Sequence, residues 1–321
     1  MFDFNLNKSN SNSKFSSDLL WDTLIVGGGP SGLNAGLYLI RKGKNVGVLT
    51  SEIGGQLHNT SDVDNYIGLK KLKGSELSSS FLDHVNDLEL PIMQDATVTN
   101  IVKQKNIFLI TLESGIVLKS KTVLFATGGS PRKLNVSGEK TYQNKGVSYC
   151  TTCDAPFFKG KHVVVAGGGN SAAEAVIDLV PYASKISVIH RSQWRADEIL
   201  LEKLKQIKNL DVHLNSQILE IKGDNNSMRS ISFLDKNRNI EKEMNAEGLF
   251  IEIGNIPNSK IIRDLVETNS SGEIIVNDLQ ETSLIGMYAS GDVTNQPFKQ
   301  IIIATGEGAK AALSINKYLN K

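Results

Sequence analysis

Cysteine is scarce in this 321-residue sequence: there are two, Cys150 and Cys153. Two thiols cannot build a four-thiolate zinc or iron–sulfur site, nor the disulfide framework of a small secreted protein. Whatever they do, they do as a pair. Charge of one sign is lacking too, since 35 basic residues face 34 acidic ones and the formal net charge is +1. No global field therefore argues for nucleic acid or an anionic membrane as partner. No stretch approaches the ~18–20 uninterrupted apolar residues of a membrane span. The five histidines show no spacing that would bind a metal or build a triad. The opening MFDFNLNKSNSNSKFSSDLLW has no apolar core of signal-peptide length, and residues 1–21 read as a flexible arm. A cytoplasmic protein is the expectation, and there a close cysteine pair is more often catalytic or redox-sensing than structural.

Glycine, by contrast, is plentiful at 28 residues. Two clusters of it each follow an apolar strand. Residues 23–26 lead into Gly27-Gly28-Gly29-Pro30-Ser31-Gly32 and an Ala/Leu-rich helical run, with a second strand over 45–49 at βαβ distance. The pattern restarts with a strand over 162–166, then Gly167-Gly168-Gly169-Asn170-Ser171-Ala172 and a helix over 171–180. A strand over 186–189 and a helix over 196–208 follow; a late strand ends in Gly291-Asp292 before a final helix over 299–319. The length is about twice that of a typical single domain, which fits two such units.

A strand, a glycine turn and a helix start make an anion site, because free backbone N–H groups and the positive end of the helix dipole face the turn. The first glycine makes the turn, the second admits pyrophosphate close to the backbone, and the third lets helix and strand pack tightly. Gly27, Gly29 and Gly32 fill those places, as do Gly167, Gly169 and Ala172. One such match is weak; two, each between a strand and a helix, point to two dinucleotide sites. After the second turn the next strand ends at His190-Arg191-Ser192, with Arg195 close by. An acid there would bind a ribose 2′-hydroxyl, whereas arginine accommodates a 2′-phosphate, so NADPH is favoured over NADH. The bland alternative is a pair of solvated charges at a strand end. After the first unit, Gly54-Gly55-Gln56-Leu57 suggests backbone running close to a large ligand.

Cys150-Thr151-Thr152-Cys153 is followed by Asp154 and precedes the second glycine turn. The spacing lets two thiols close a small ring and lets a neighbouring dipole lower one thiol pKa. Joined to two dinucleotide sites, a dithiol implies an electron path from nicotinamide to flavin to disulfide. Asp154 is placed to act as general acid or base for the thiol. The alternative is two structural thiols that meet by accident.

In order and spacing these pieces resemble the low-molecular-weight thioredoxin reductases. The resemblance runs from Trp21 to the C-terminal helix. It rests on GGGPSG at 27–32, GGQL at 54–57, Asp64-Asn65-Tyr66, Ala126-Thr127-Gly128, the CxxC-Asp at 150–154, GGGNSA at 167–172, Gly254-x-x-Pro257-Asn258, and Gly291-Asp292 with Gln300. It implies an α/β protein of two Rossmann-like domains, with an NADPH domain over 133–253 inserted into an FAD domain over 22–132 and 254–321. It implies a homodimer with non-covalent FAD that reduces thioredoxin with NADPH, disulfide and nicotinamide taking turns at the flavin by a domain rotation. The FAD contacts so implied are Gly27, Gly29, Pro30, Ser31, Gly32, Gly54, Gly55, Gln56, Leu57, Asn65, Thr127, Gly128, Gly291, Asp292, Lys299, Gln300 and Ile301. Those to NADPH are Gly167, Gly169, Asn170, Ser171, Ala172, His190, Arg191, Ser192, Arg195 and Gly254. Cys153 would face the flavin, Cys150 would attack the substrate disulfide, and Asp154 would supply the proton.

Three features depart from the family pattern. Ser192 stands where NADPH-using members carry a second arginine, and the span to Arg195 is one residue shorter, which leaves NADH use open. Lys299-Gln300 replaces an Arg-Gln pair, keeping the charge and losing the planar fork. The N-terminal arm lies outside the match. Within the same fold a rival is a flavin-dependent dithiol oxidase that passes electrons to oxygen; a ferredoxin–NADP reductase is disfavoured because such relatives lack the cysteine pair. A redox sensor without turnover is the rival of another class.

Overall fold

The first strand is longer than its apolar centre and starts inside the segment read as an arm. In the computed structural model, which describes residues 15–60 and 62–321, β1 runs Leu20–Gly28. Its run Thr23-Leu24-Ile25-Val26 is buried on both faces, as a central parallel strand requires. Trp21 is buried and stacks on Phe15, ring centroids 4.9 Å apart. Phe15 also covers Gly47, where a Cβ would come within 2.7 Å of its ring. The flexible-arm reading of 1–21 therefore fails for residues 15–21, because two aromatic rings there close the core. Residues 1–14 lie outside the described residues. Phe15→Ala should destabilise the protein by about 3–5 kcal/mol, the usual cost of truncating a buried phenylalanine. Urea melts of the two proteins at equal concentration check this.

From β1 the chain enters α1 (Pro30–Arg41), with an extended Gly29 as N-cap and proline at the first helical position. It continues through β2 (Val46–Ile53), α2 (Gly74–Asp87) and the short β3 (Ile92–Met93). Strands β4 (Val98–Gln104), β5 (Ile107–Leu112) and β6 (Val117–Phe125) then form an antiparallel meander.

A second unit is threaded in here. It holds β7 (Val147–Ser148), α3 (Thr151–Asp154), β8 (His162–Ala166), α4 (Asn170–Leu179), β9 (Lys185–Ile189), α5 (Glu198–Leu204) and β10 (Leu210–His213). A separate three-stranded antiparallel sheet follows, β11 (Ser216–Gly223), β12 (Met228–Asp235) and β13 (Ile240–Asn245), before β14 (Gly248–Ile251) rejoins the parallel sheet. The parallel order is β7-β14-β8-β9-β10. Helix α5 is shorter than the expected 196–208. The Asn170 amide and the Asp197 carboxylate and N–H bond each other at 2.8 and 2.9 Å, which fixes the chain just before the helix.

The chain then returns to the first unit with β15 (Met287–Ala289) and α6 (Ile301–Leu319). The first sheet has the order β3-β2-β1-β6-β5-β4, and β15 pairs with β6 through Met287–Val123 to Ala289–Phe125. The two compact units are Met1–Ser130 with Ile256–Lys321, and Pro131–Asn255. Between them Gly129–Pro131 and Asn255–Pro257 pair as a two-stranded ribbon. Each unit is a Rossmann-like α/β layer structure, its helices packed on a sheet that is parallel throughout in the second unit and parallel around β1 in the first. No helix among the described residues is long and apolar enough to cross a membrane.

Candidate functional site

In the first unit, three neighbouring parallel strands end at one level: Val26 of β1 faces Phe125 of β6, and Phe125 faces Ala289 of β15. The segments that follow them, Gly27–Gly32, Ala126–Gly128 and Ser290–Asp292, therefore line one crevice at the carboxyl ends of the strands, where open α/β sheets bind ligands. The glycine turn tests whether a dinucleotide fits. A Cβ at Gly27 would lie 2.3 Å from the Ala126 carbonyl oxygen, and one at Gly32 would lie 2.0 Å from that of Gly27. At Gly29 a Cβ would meet nothing within 4 Å. Two glycines are thus demanded by the protein itself, and the third faces open space, as a pyrophosphate cradle requires. Gly55 adds to that wall, its Cβ position 3.7 Å from the Gly29 Cα.

The other implied FAD residues fall into two sets. Ser31 and Ser290 share a buried 2.7 Å hydrogen bond that clips α1 to the end of β15, and Pro30 starts the helix. Gln56 donates to the Gly129 carbonyl at 2.5 Å, after a left-handed Gly54. Gln300 caps α6, whose first residue is Ile301, and its side chain accepts from Asn65 at 3.2 Å. Thr127 and Asn258 exchange two side-chain to backbone hydrogen bonds of 2.9 Å, and Asn258 N–H donates to Gly128. Two side chains are turned elsewhere. Leu57 packs with Val63 and Leu77 in a small core. The Lys299 ammonium caps the carbonyls of Thr294 and Gln296 and pairs with Glu273 at 3.3 Å. Burial pushes the Asp292 carboxyl up, partly opposed by Lys299.

The second unit repeats the plan. Gly167 is crowded, a Cβ there falling 2.2 Å from the Glu252 carbonyl oxygen, whereas Gly169 again faces open space. Ala172 is fully buried against this turn, and Ser171 is exposed beside it. The Asn170 side chain is engaged by Asp197. His190 is 5% exposed and its ring covers Gly168, where a Cβ would come within 2.2 Å. Burial, with Arg195 and Arg191 nearby, holds its imidazole below the usual histidine range and so favours the neutral ring. His190 is thus a wall of the turn, and its Nε2 meets the Ser192 hydroxyl at 3.1 Å. Arg191, Ser192 and Arg195 are exposed at the crevice. Arg195 N–H donates to the Gly168 carbonyl at 2.7 Å, which ties that arginine's backbone to the glycine turn.

The cysteines lie at the end of β7, in this same parallel sheet, and are joined as a disulfide with Cα atoms 5.3 Å apart. Cys150 is the N-cap of α3, and its sulfur accepts the Cys153 N–H at 3.2 Å. A helix N-cap donor lowers the free energy of a thiolate at that sulfur. Ser148 donates to the Asp154 carboxylate at 2.6 Å and accepts the Cys150 N–H at 3.1 Å, so Asp154 is linked to the cysteine turn through one hydroxyl.

A profile of the pyridine nucleotide-disulphide oxidoreductases matches residues 21–310. The chain belongs to this family. Among curated relatives, a subunit of alkyl hydroperoxide reductase from Staphylococcus aureus (strain MRSA252) is 40% identical over 308 residues, 96% of this chain and 61% of the relative. An NADH dehydrogenase of Bacillus subtilis (strain 168) is 41% identical over 308 residues, 96% of this chain and 60% of the relative. The chain thus spans about three fifths of the length of these relatives. The solved thioredoxin reductase of Streptococcus pyogenes MGAS5005 superposes with a TM-score of 0.89 at 34% identity, covering 94% of this chain and 98% of that one. That of Giardia duodenalis gives 0.89 at 30%, covering 94% and 99%. The oxidoreductase is therefore thioredoxin reductase-like in fold, and its family uses FAD and a pyridine nucleotide.

Three residues of this oxidoreductase escaped the sequence reading. Glu307 of α6 accepts the Gly291 N–H at 2.7 Å. Arg132 lies against Gly254, a residue with φ of +99°, and its N–H donates to the Gly254 carbonyl at 3.0 Å. Glu252 accepts from the Thr151 hydroxyl, inside the CxxC, at 2.7 Å. None carries a motif, and each is found only once the sheet brings distant segments together.

Proposed function

We propose that the protein is a flavin-dependent disulfide reductase that carries electrons from NADPH through FAD to Cys150–Cys153 and on to a disulfide of thioredoxin or a thioredoxin-like protein. The observation that carries this reading is the Cys150–Cys153 disulfide, which follows β7, a strand of the same parallel sheet that carries the second glycine turn. Bound flavin supplies two-electron exchange with nicotinamide on one side and a disulfide on the other. The first crevice would hold FAD, with Gly29 leaving room for its pyrophosphate and the N-terminus of α6 at Ile301 favouring the negative charge of a reduced ring. Cys153 would be the sulfur that faces the flavin. Cys150, whose sulfur has the Cys153 N–H as a donor, attacks the acceptor disulfide as a thiolate. Asp154 moves the proton, held by Ser148.

A second reading keeps the chemistry and changes both ends. Ser192 lacks the second arginine, and the relatives at 40–41% identity are an alkyl hydroperoxide reductase component and an NADH dehydrogenase by name. In that reading NADH is the donor and a hydroperoxide-reducing partner protein is the acceptor. Anaerobic assays with NADPH or NADH, against thioredoxin and against such a partner, separate the two. Oxygen uptake with small dithiols and no protein disulfide reduced would instead mark a dithiol oxidase.

Arginine is the element that reads a 2′-phosphate. Replacing Arg191 and Arg195 together with Ala should raise KM for NADPH by roughly tenfold or more, the scale of losing charge-assisted hydrogen bonds. KM for NADH should change by less than about twofold. An unchanged ratio of the two constants removes these arginines from nucleotide choice.

A further inference from the structure

Glu252 stands one residue beyond β14, and two functional segments meet on it. Its carbonyl is the atom that forbids a side chain at Gly167, at the first position of the second glycine turn. Its carboxyl takes the Thr151 hydroxyl at 2.7 Å, and the Thr151 N–H is directed at it as well. Thr151 is 4% exposed and sits between Cys150 and the rest of α3, so this contact fixes the backbone on which the first cysteine is carried. The roles given above to Cys150, Cys153 and Asp154 leave Glu252 unused.

We propose that Glu252 is a positioning residue for the cysteine pair, holding the Cys150-Thr151 turn through Thr151 and, by taking up or releasing a proton there, setting how readily Cys150 persists as a thiolate. The inference rests on the disulfide reductase reading only for the reaction it tunes. When the pair is reduced, the S–S bond breaks and two electrons arrive from the reductant of that reaction. One sulfur then becomes a thiolate and the other takes a proton. Glu252 forms and breaks no bond to sulfur. An ionised Glu252 places a negative charge against Thr151, the residue next to Cys150, and a like charge near a thiolate disfavours it. A neutral Glu252 leaves the thiolate unopposed.

The surroundings place that choice in a usable pH range. Burial pushes the Glu252 carboxyl up to about 7, with Asp178 and Glu174 acting in the same direction and the two Thr151 hydrogen bonds opposing them. The charged groups that act on it are acidic, Glu174 and Asp178 on α4. Burial raises the Asp178 carboxyl too.

The test uses the full-length flavoprotein, reduced with dithiothreitol, desalted without oxygen, and alkylated with iodoacetamide between pH 5.5 and 9. Peptide mass spectrometry assigns the rate to Cys150. The unaltered protein should show an inflection near neutral pH besides that of the thiol. Glu252→Gln should lose that inflection and alkylate about fivefold faster at pH 8, as expected when one nearby negative charge is removed. Thr151→Val, which keeps the carboxyl and removes a hydrogen bond that favours its ionised form, should move the inflection to higher pH. Superimposed profiles for Glu252→Gln and the unaltered protein overturn the proposal. If Glu252→Gln does not fold, an unmoved inflection in Thr151→Val overturns it. Alkylation needs neither nucleotide nor acceptor protein. Failure to reduce any protein disulfide would therefore sink the disulfide reductase reading and leave this outcome standing on its own.

Discussion

Cys150→Ser should lower protein disulfide reduction by roughly a thousandfold or more, the usual scale for removing a nucleophile, while nicotinamide still bleaches the flavin within about twofold of the normal rate. Cys150 is the N-cap of α3 and its sulfur has a backbone donor at 3.2 Å, which favours a thiolate there and supports its proposed role as the attacking atom. On the proposed path flavin reduction draws on the two glycine turns, which the substitution does not touch. Single-turnover absorbance without oxygen measures the first half-reaction, and steady-state turnover with thioredoxin measures the whole. Cys153→Ser should fail in the same assay for a different reason: Cys150 would attack and then remain trapped in a mixed disulfide with its acceptor. Loss of flavin reduction in Cys150→Ser would reverse the order assigned to the two sulfurs.

Gly29→Glu should yield a folded protein that is purified colourless, with FAD affinity down by about a hundredfold or more. Gly29 has φ of −80°, which any residue adopts, and a Cβ there meets nothing within 4 Å. The fold therefore tolerates the side chain. The ligand does not, because a carboxylate then stands where pyrophosphate must approach the helix N-terminus. Gly32→Ala makes the contrast. Its Cβ would fall 2.0 Å from the Gly27 carbonyl oxygen, so backbone has to move and stability should drop along with flavin. Flavin absorbance together with urea melting separates the two outcomes. If Gly29→Glu keeps its flavin, the first crevice is not the FAD site.

What the sequence made legible was local. At 27–32 and 167–172 the strand, the turn and the helix start are adjacent in the chain, so their residue types suffice to name the arrangement. Helix α4, expected over 171–180, spans Asn170–Leu179, and β8, expected over 162–166, is His162–Ala166. The failures share a cause, which is contact across the chain. Phe15 looked like part of a polar arm, but it finds Trp21 and the bare face of Gly47. Leu57 belongs to a glycine-bearing motif, yet its side chain closes a core with Val63 and Leu77. Lys299 keeps the charge of its motif, but its long flexible stem lets the ammonium fold back onto Thr294 and Gln296. Glu252 had no signal at all, since only the pairing of β14 with β7 and β8 sets it beside both Thr151 and Gly167.

The short ribbon of Gly129–Pro131 and Asn255–Pro257 has a consequence for how such a protein can be built and taken apart. Hydrogen bonding between these two stretches holds the entry and exit of a 125-residue segment, Pro131–Asn255, side by side. A guest whose ends already touch can be grafted into a host without stretching either one, the condition under which domain insertion is tolerated. Deleting it would leave the host only a tight turn to close. On the proposed reading, transplanting a homologous segment between the same two points would exchange donor preference and cysteine pair together, as one heritable cassette, while the host stays unaltered in sequence.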